Sequence, residues 1–385
     1  NPQSPIPNPQ SPLFIQNIIN LYDFFFLLIY LKIILLFLSI MEAPKKIMLQ
    51  CDYAEGAHPN IIKKLTETNL LQTVGYGEDE ICEEAKKFIK KHLKNENVDI
   101  HFLIGGTSTN QIVIASCLRP FEGVLTVESG HINCHETGAI EATGHKVISL
   151  TKELKLTPDI LEKFCVLQEN DPNREHVVQG KMVYLSEPTE YGILYSKSEL
   201  EEIYKVCKKY DLYFFIDGAR LAFALGNYEK SNLKMEDIPN ICDVMYIGGT
   251  KCGALFGEAV VIMNEKIKKD FRYHIKQRGA MMAKGRLLGI QFYELFKDNL
   301  YLEIGKKTVE LALYLKEELK KKGVKLFIDS YTNQQFVILS KEKYEEISKK
   351  FLLSFWEENK DGIVCRICTS WATTKETLDS LISMF

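Results

Sequence analysis

A lysine hemmed by glycines follows an apolar run in Tyr246-Ile247-Gly248-Gly249-Thr250-Lys251-Cys252-Gly253-Ala254. Burial there would strip water from the ammonium, lower its pKa and leave an amine able to form a Schiff base. A surface lysine in a Gly-rich loop would carry the same local sequence. A second apolar run ends in Phe215-Ile216-Asp217-Gly218-Ala219-Arg220, which puts Asp217 at the strand end where α/β sheets bind ligands. A buried carboxylate is costly unless paired. Its partner is either a protonated pyridine nitrogen or Arg220, three residues on.

Three further motifs could serve the same site. Gly105-Gly106-Thr107-Ser108-Thr109-Asn110 joins a strand to a helix, and the N–H groups and hydroxyls of such a junction form a phosphate site. A plain strand–helix turn reads the same way. In Glu128-Ser129-Gly130-His131-Ile132-Asn133-Cys134-His135-Glu136 the two histidines have a spacing that could bind a metal on a helix. No thiolate or carboxylate set completes such a site, so no metal is expected. His131 could instead stack on a flat cofactor, and His135 reads as structural. Arg366, in Cys365-Arg366-Ile367-Cys368-Thr369-Ser370-Trp371, lies among apolar neighbours. From there it could clamp a substrate carboxylate bidentately or form an ion pair on a strand surface.

The elements that must position these residues alternate. Strands are expected at His101–Gly105, Val124–Glu128, Lys146–Leu150, Lys181–Ser186, Leu212–Ile216, Val244–Ile247 and Ala259–Met263. Helices are expected at Thr107–Leu118, His135–Thr143, Pro158–Gln168 and Lys197–Lys209, the last capped by Ser196. Leu212–Ile216, Val244–Ile247 and Ala259–Met263 are near-continuously apolar, as buried strands are. Alternation of this kind predicts an α/β domain with a mainly parallel sheet. A long helical stretch, Gly285–Lys322, leads to strands near Lys325–Asp329, Gln335–Ser340 and Val364–Thr369 and a helix at Tyr344–Phe351. This reads as a smaller C-terminal α+β domain, with the boundary between residues 284 and 285 and a cleft between the two domains.

Composition narrows the classes. The chain has 385 residues, 46% hydrophobic and 26% charged, with a formal net charge of −3. That is ample for a core and carries no basic surplus for nucleic acid. The 10 cysteines are scattered and read as buried free thiols in a reducing compartment. Cys365 and Cys368 form a lone C-x-x-C without a second pair.

Residues 1–40 read differently. A Pro/Ser/Asn/Gln repeat, Asn1–Ser4 and Asn8–Ser11, gives way to Leu13–Ile40, whose only charges are Asp23 and Lys32. The length suits a membrane span. The run also lacks the basic start of a signal peptide, and Met41 follows it at once. An upstream extension absent from the working protein is the favoured expectation, and a membrane anchor the other. A domain beginning near Met41 follows either way, with residues 41–284 as an N-terminal arm and large cofactor domain.

Each motif is ambiguous singly, but their order along the chain is specific. It resembles that of the pyridoxal phosphate (PLP)-dependent enzymes of fold type I. More closely it resembles the low-specificity L-threonine aldolases of the β-eliminating lyase/threonine aldolase family, from about Met48 to the C-terminus. Asp52-Tyr53-Ala54-Glu55-Gly56-Ala57-His58-Pro59, Tyr76-Gly77-Glu78-Asp79 and Ser186-Glu187-Pro188-Thr189-Glu190 also match. The resemblance implies that Lys251 forms the Schiff base with PLP, Asp217 pairs the pyridine nitrogen and His131 stacks on the ring. It implies that Gly106 and Thr107 hold the phosphate beside Thr250, and that Arg220 and Arg366 bind the substrate carboxylate. Tyr76 would reach a neighbouring subunit's site in a homo-oligomer, a dimer or tetramer. Thr250 stands where many relatives have Ser. In Gln277-Arg278-Gly279-Ala280-Met281-Met282-Ala283-Lys284 either Arg278 or Lys284 could meet a phosphate. The implied reaction is retro-aldol cleavage of a β-hydroxy amino acid, threonine or allo-threonine giving glycine and acetaldehyde, with His131 as candidate base, in the cytoplasm. β-Elimination or transamination on the same cofactor, and a non-catalytic PLP-binding or membrane-tethered protein, are the competing readings.

Overall fold

The computed structural model describes residues 25–33 and 46–385. Contacts divide the chain into two units, Asn1–Ile47 and Met48–Phe385. In the first, residues 25–33 are helical. The remaining expectations for residues 1–40 lie outside the described residues. Among the described residues no helix is long and apolar enough to cross a membrane.

The second unit is built on a seven-stranded sheet. Its strands are β1 (Asp99–Leu103), β2 (Glu122–Thr126), β3 (Val147–Ser149), β4 (Gln179–Ser186), β5 (Tyr213–Gly218), β6 (Val244–Gly248) and β7 (Glu258–Ile262). Their spatial order is β1-β7-β6-β5-β4-β2-β3. The run from β3 to β6 is parallel, and β7 is antiparallel to both β6 and β1. Every residue of β2, β6 and β7 is buried, because helices cover both faces of the sheet. The predicted strands therefore fall within a few residues of the observed ones. Helix Lys197–Lys209 matches its prediction, with Ser196 and Glu199 forming a capping box.

The long helical stretch is broken into Arg286–Lys297 and Leu300–Lys321 by Asn299, which takes a left-handed φ of 61°. These helices pack on Glu80–Leu93 and Leu221–Gly226 of the first sheet's layer. Beyond them lies a four-stranded antiparallel sheet of β8 (Leu326–Ile328), β9 (Gln334–Leu339), β10 (Ser354–Asn359) and β11 (Gly362–Cys368), in the order β10-β11-β9-β8. Sequence reading missed β10, whose residues are half-exposed and mostly polar. All ten cysteines are free; Cys134 is exposed, Cys117 half-buried and the others buried.

Candidate active site

Parallel register sets Ser186 of β4 beside Asp217 of β5, and Asp217 beside Tyr246 of β6. These carboxyl ends open on a cleft of about 880 Å³, faced across the gap by Ser354, Trp356 and Arg366 of the antiparallel sheet. Gly106, Thr107, His131, Asp217, Arg220, Thr250, Lys251 and Arg366 all line this cleft. Residues as far apart in sequence as Gly106 and Arg366 are thus brought together. Tyr76 lies outside it, 45% exposed on the surface, and neither Arg278 nor Lys284 lines it.

Lys251 sits in the tight connection from β6 to β7. Gly253 and Gly257 hold φ values of +91° and +110° there, conformations open to glycine and strained for other residues. The Thr250 N–H donates to the Gly257 carbonyl at 3.2 Å. Its hydroxyl donates to Glu258 and accepts from the Gly257 N–H, both at 2.9 Å. The second Glu258 oxygen accepts the Gly249 N–H at 2.9 Å. Burial lowers the pKa of Lys251, and the Arg220 guanidinium lowers it further, outweighing nearby carboxylates. Burial pushes Glu258 up to about 7.

Asp217 is 4% exposed, and among the described residues no cation bonds it. Oδ1 accepts the Tyr246 hydroxyl and, at 3.0 Å, the Ala219 N–H. Oδ2 accepts the Tyr184 hydroxyl and, at 3.3 Å, the Asn110 amide. Burial and then the Asp217 charge hold both phenols well above their ordinary pKa, so each stays a donor.

The Asp217–Arg220 pair considered from sequence does not form. Arg220 is committed instead to Asp52, with Nε at 2.7 Å and Nη2 at 3.0 Å, and Asn333 adds a third donor at 2.9 Å. Burial opposes the Asp52 charge, but Arg220 and then Lys251 hold its carboxyl at about 2. Asp52→Ala would leave a buried guanidinium uncompensated. We expect a loss of about 3–5 kcal/mol in stability, read as a lower urea midpoint with an unchanged slope.

The helix expected over His135–Thr143 does not form. The chain makes a short helix at His131–Cys134 and a 3-10 turn at Glu141–Thr143, because Thr137 and Gly138 turn left-handed at φ 53° and 71°. His131 is held from two sides. Its N–H donates to Glu190 at 2.8 Å, and its Nδ1 lies 2.8 Å from Glu136. Glu190 also accepts the Ser186 hydroxyl at 2.6 Å, and burial raises its pKa. The His135 ring lies 5.6 Å from that of His131, between centroids.

Two groups stand ready for an anionic ligand. Helix Gly106–Cys117 has no side-chain cap, so its first N–H groups are free to receive a phosphate at the cleft wall. A Cβ on Gly106 would lie 3.0 Å from the Tyr246 hydroxyl, so the hydroxyl would have to give way slightly to any larger residue. Arg366 donates from Nη1 to Gln334 at 3.1 Å and from Nη2 to the Gln50 carbonyl at 3.3 Å. Its guanidinium lies 5.2 Å from the Trp356 ring centroid, and its Nε is buried without a partner.

Sequence reasoning gave no role to Asp52, Asn110, Glu136, Tyr184, Tyr246 or Glu258. Asn110 and Glu136 close motifs already singled out, which was the signal that could have found them. Tyr184 and Tyr246 sit in apolar strands, where a tyrosine reads as core.

Comparison with known proteins places the chain in a family. The family described as Beta-eliminating lyase matches residues 56–342. The low specificity L-threonine aldolase of Pseudomonas aeruginosa is 26% identical over 334 residues, 86% of this chain and 94% of that protein. The solved structure of Leishmania major threonine aldolase is 43% identical, with a TM-score of 0.84 over 88% of this chain and 98% of that one. A Thermus thermophilus aspartate aminotransferase mutant, 13% identical, reaches a TM-score of 0.65 over 93% of this chain and 95% of that one. At that identity the likeness is one of fold.

Proposed function

The chain belongs to the β-eliminating lyase family, and from that premise we propose that it is a PLP-dependent threonine aldolase, cleaving a β-hydroxy amino acid to glycine and an aldehyde. The observation that carries the reading is one cleft holding a desolvated lysine, a buried aspartate, an uncapped helix N-terminus and an arginine.

These residues fit pyridoxal phosphate. The first N–H groups of Gly106–Cys117 would take the phosphate, Asp217 the ring nitrogen, His131 a ring face and Lys251 the carbonyl carbon. When bound, the cofactor supplies an electron sink for the pair released as a bond at Cα breaks. The protein does the rest. Asp217, carried by two phenols, an amide and a backbone N–H, holds a proton on the ring nitrogen. Arg366 takes the substrate carboxylate through the Nη hydrogens that Gln334 and the Gln50 carbonyl leave. Arg220 keeps only the N–H groups that Asp52 leaves, so it orients the carboxylate from the second side. His131 accepts the β-hydroxyl proton at its unbonded ring nitrogen. The Cα–Cβ bond then opens, Cβ leaves as the aldehyde, and Cα takes back a proton. Lys251, its ammonium disfavoured by burial, is suited to holding that proton only briefly.

The same reading includes a homo-oligomer in the cytoplasm. The run Leu70, Leu71, Val74 and Tyr76, each 45% exposed or more, suits a subunit contact, and the ten free thiols suit a reducing compartment. Incubation of the purified protein with L-threonine and with L-allo-threonine tests the function. We expect glycine and acetaldehyde in equal amounts. A keto acid, or no product from any β-hydroxy amino acid, refutes it.

A further inference from the structure

We propose that Glu136 is a positioning residue that fixes the tautomer of His131, keeping the proton on Nδ1 and leaving Nε2 as the lone pair offered to the cleft. Glu136 is buried, with no side-chain exposure, while the His131 side chain is 35% exposed where it meets the cleft. The Nδ1–Oε1 distance is 2.8 Å, so one of the two atoms carries a hydrogen. The same Oε1 lies 2.7 Å from Asn110 Nδ2, and an amide nitrogen can only donate. Oε1 accepts from the amide, and with Glu136 a carboxylate it accepts from the ring as well, so the proton belongs to Nδ1. The amide cannot be reversed without cost. Its oxygen would then face both Glu136 and Asp217, which lies 3.3 Å from Nδ2.

The hydrogen bond at one imidazole nitrogen decides the state of the other. Among the described residues Nε2 has no protein partner, and no other charged group bonds the ring. Glu190 reaches only the backbone N–H, His135 lies ring to ring at 5.6 Å, and Arg366 stands on the facing wall. The same contacts link His131 through Glu136 and Asn110 to Asp217, so the two proton-holding groups of the site share one buried framework.

The catalytic consequence rests on the function proposed above, but the tautomer does not. Nitrogen NMR of the 15N-histidine-labelled full chain carrying pyridoxal phosphate reads the tautomer directly, with His131→Asn assigning the signal among the eight histidines. In the wild type at pH 8 we expect a protonated Nδ1 and a bare Nε2. Glu136→Gln keeps an acceptor carbonyl and should keep that pattern, with kcat/KM for L-threonine within about 10-fold. Glu136→Leu should release the tautomer into a mixture and lower kcat/KM by about 10²-fold. A wild-type ring protonated on Nε2 overturns the proposal, as does a Glu136→Leu spectrum like the wild type's. Should Glu136→Leu not fold, the wild-type and Glu136→Gln spectra still decide it. The expected spectra without turnover on any β-hydroxy amino acid would support the positioning role and sink the aldolase assignment alone.

Discussion

Lys251→Ala is expected to abolish both the visible absorbance of lysine-bound cofactor and the turnover of β-hydroxy amino acids, the latter by at least about 10⁴-fold. The size follows from what the side chain supplies. Among the described residues no other lysine lines the cleft, so none of them offers a second amine in its place. The environment that makes Lys251 reactive is also specific to its position. Burial and the Arg220 charge lower its pKa, while the Thr250 and Glu258 hydrogen bonds fix the loop that presents it. Removing the side chain leaves those loop bonds in place, so the fold should persist. Absorbance spectra before and after adding cofactor, together with the acetaldehyde assay, check both parts. A variant retaining lysine-type absorbance and turnover would refute the role.

The residues legible in the sequence share a physical trait. Lys251, Asp217 and Gly106 sit at the ends of apolar runs, and a polar group at the end of a buried strand stands out against its neighbours. Periodicity likewise located the central strands and the capped helix Lys197–Lys209. The partners of those residues were not legible, because they are set by tertiary register. Arg220 finds Asp52 across 168 residues of sequence separation. Asp217 is held by Tyr184 and Tyr246 from the two neighbouring strands, and nothing local distinguishes those tyrosines from core aromatics. The helix expected over His135–Thr143 fails to form for a local reason. An apolar pattern survives there, but Thr137 and Gly138 reverse the backbone. That reversal brings Glu136 against His131, so the failure of periodicity marks a part of the site.

Asp217 gives the second large effect, and its hydrogen bonds determine which variant can reveal it. Asp217→Ala removes the acceptor of two buried phenols and one buried amide. Each donor left unsatisfied costs about 1–3 kcal/mol, so lost stability would mask the chemical effect. Asp217→Asn preserves volume and one carbonyl oxygen, and the hydroxyl of Tyr184 or Tyr246 can turn to accept from the new amide. Stability should then fall by no more than about 1–3 kcal/mol. The neutral side chain no longer supplies the charge that holds a proton on the ring nitrogen, so the electron sink weakens. We expect kcat to fall by about 10²–10⁴-fold, while cofactor absorbance, which depends on Lys251, remains. Retention of that absorbance separates the two residues: Lys251 attaches the cofactor, and Asp217 sets its electronic state. Turnover of Asp217→Asn within about 10-fold of the wild type would remove Asp217 from the mechanism and leave its four hydrogen bonds as architecture.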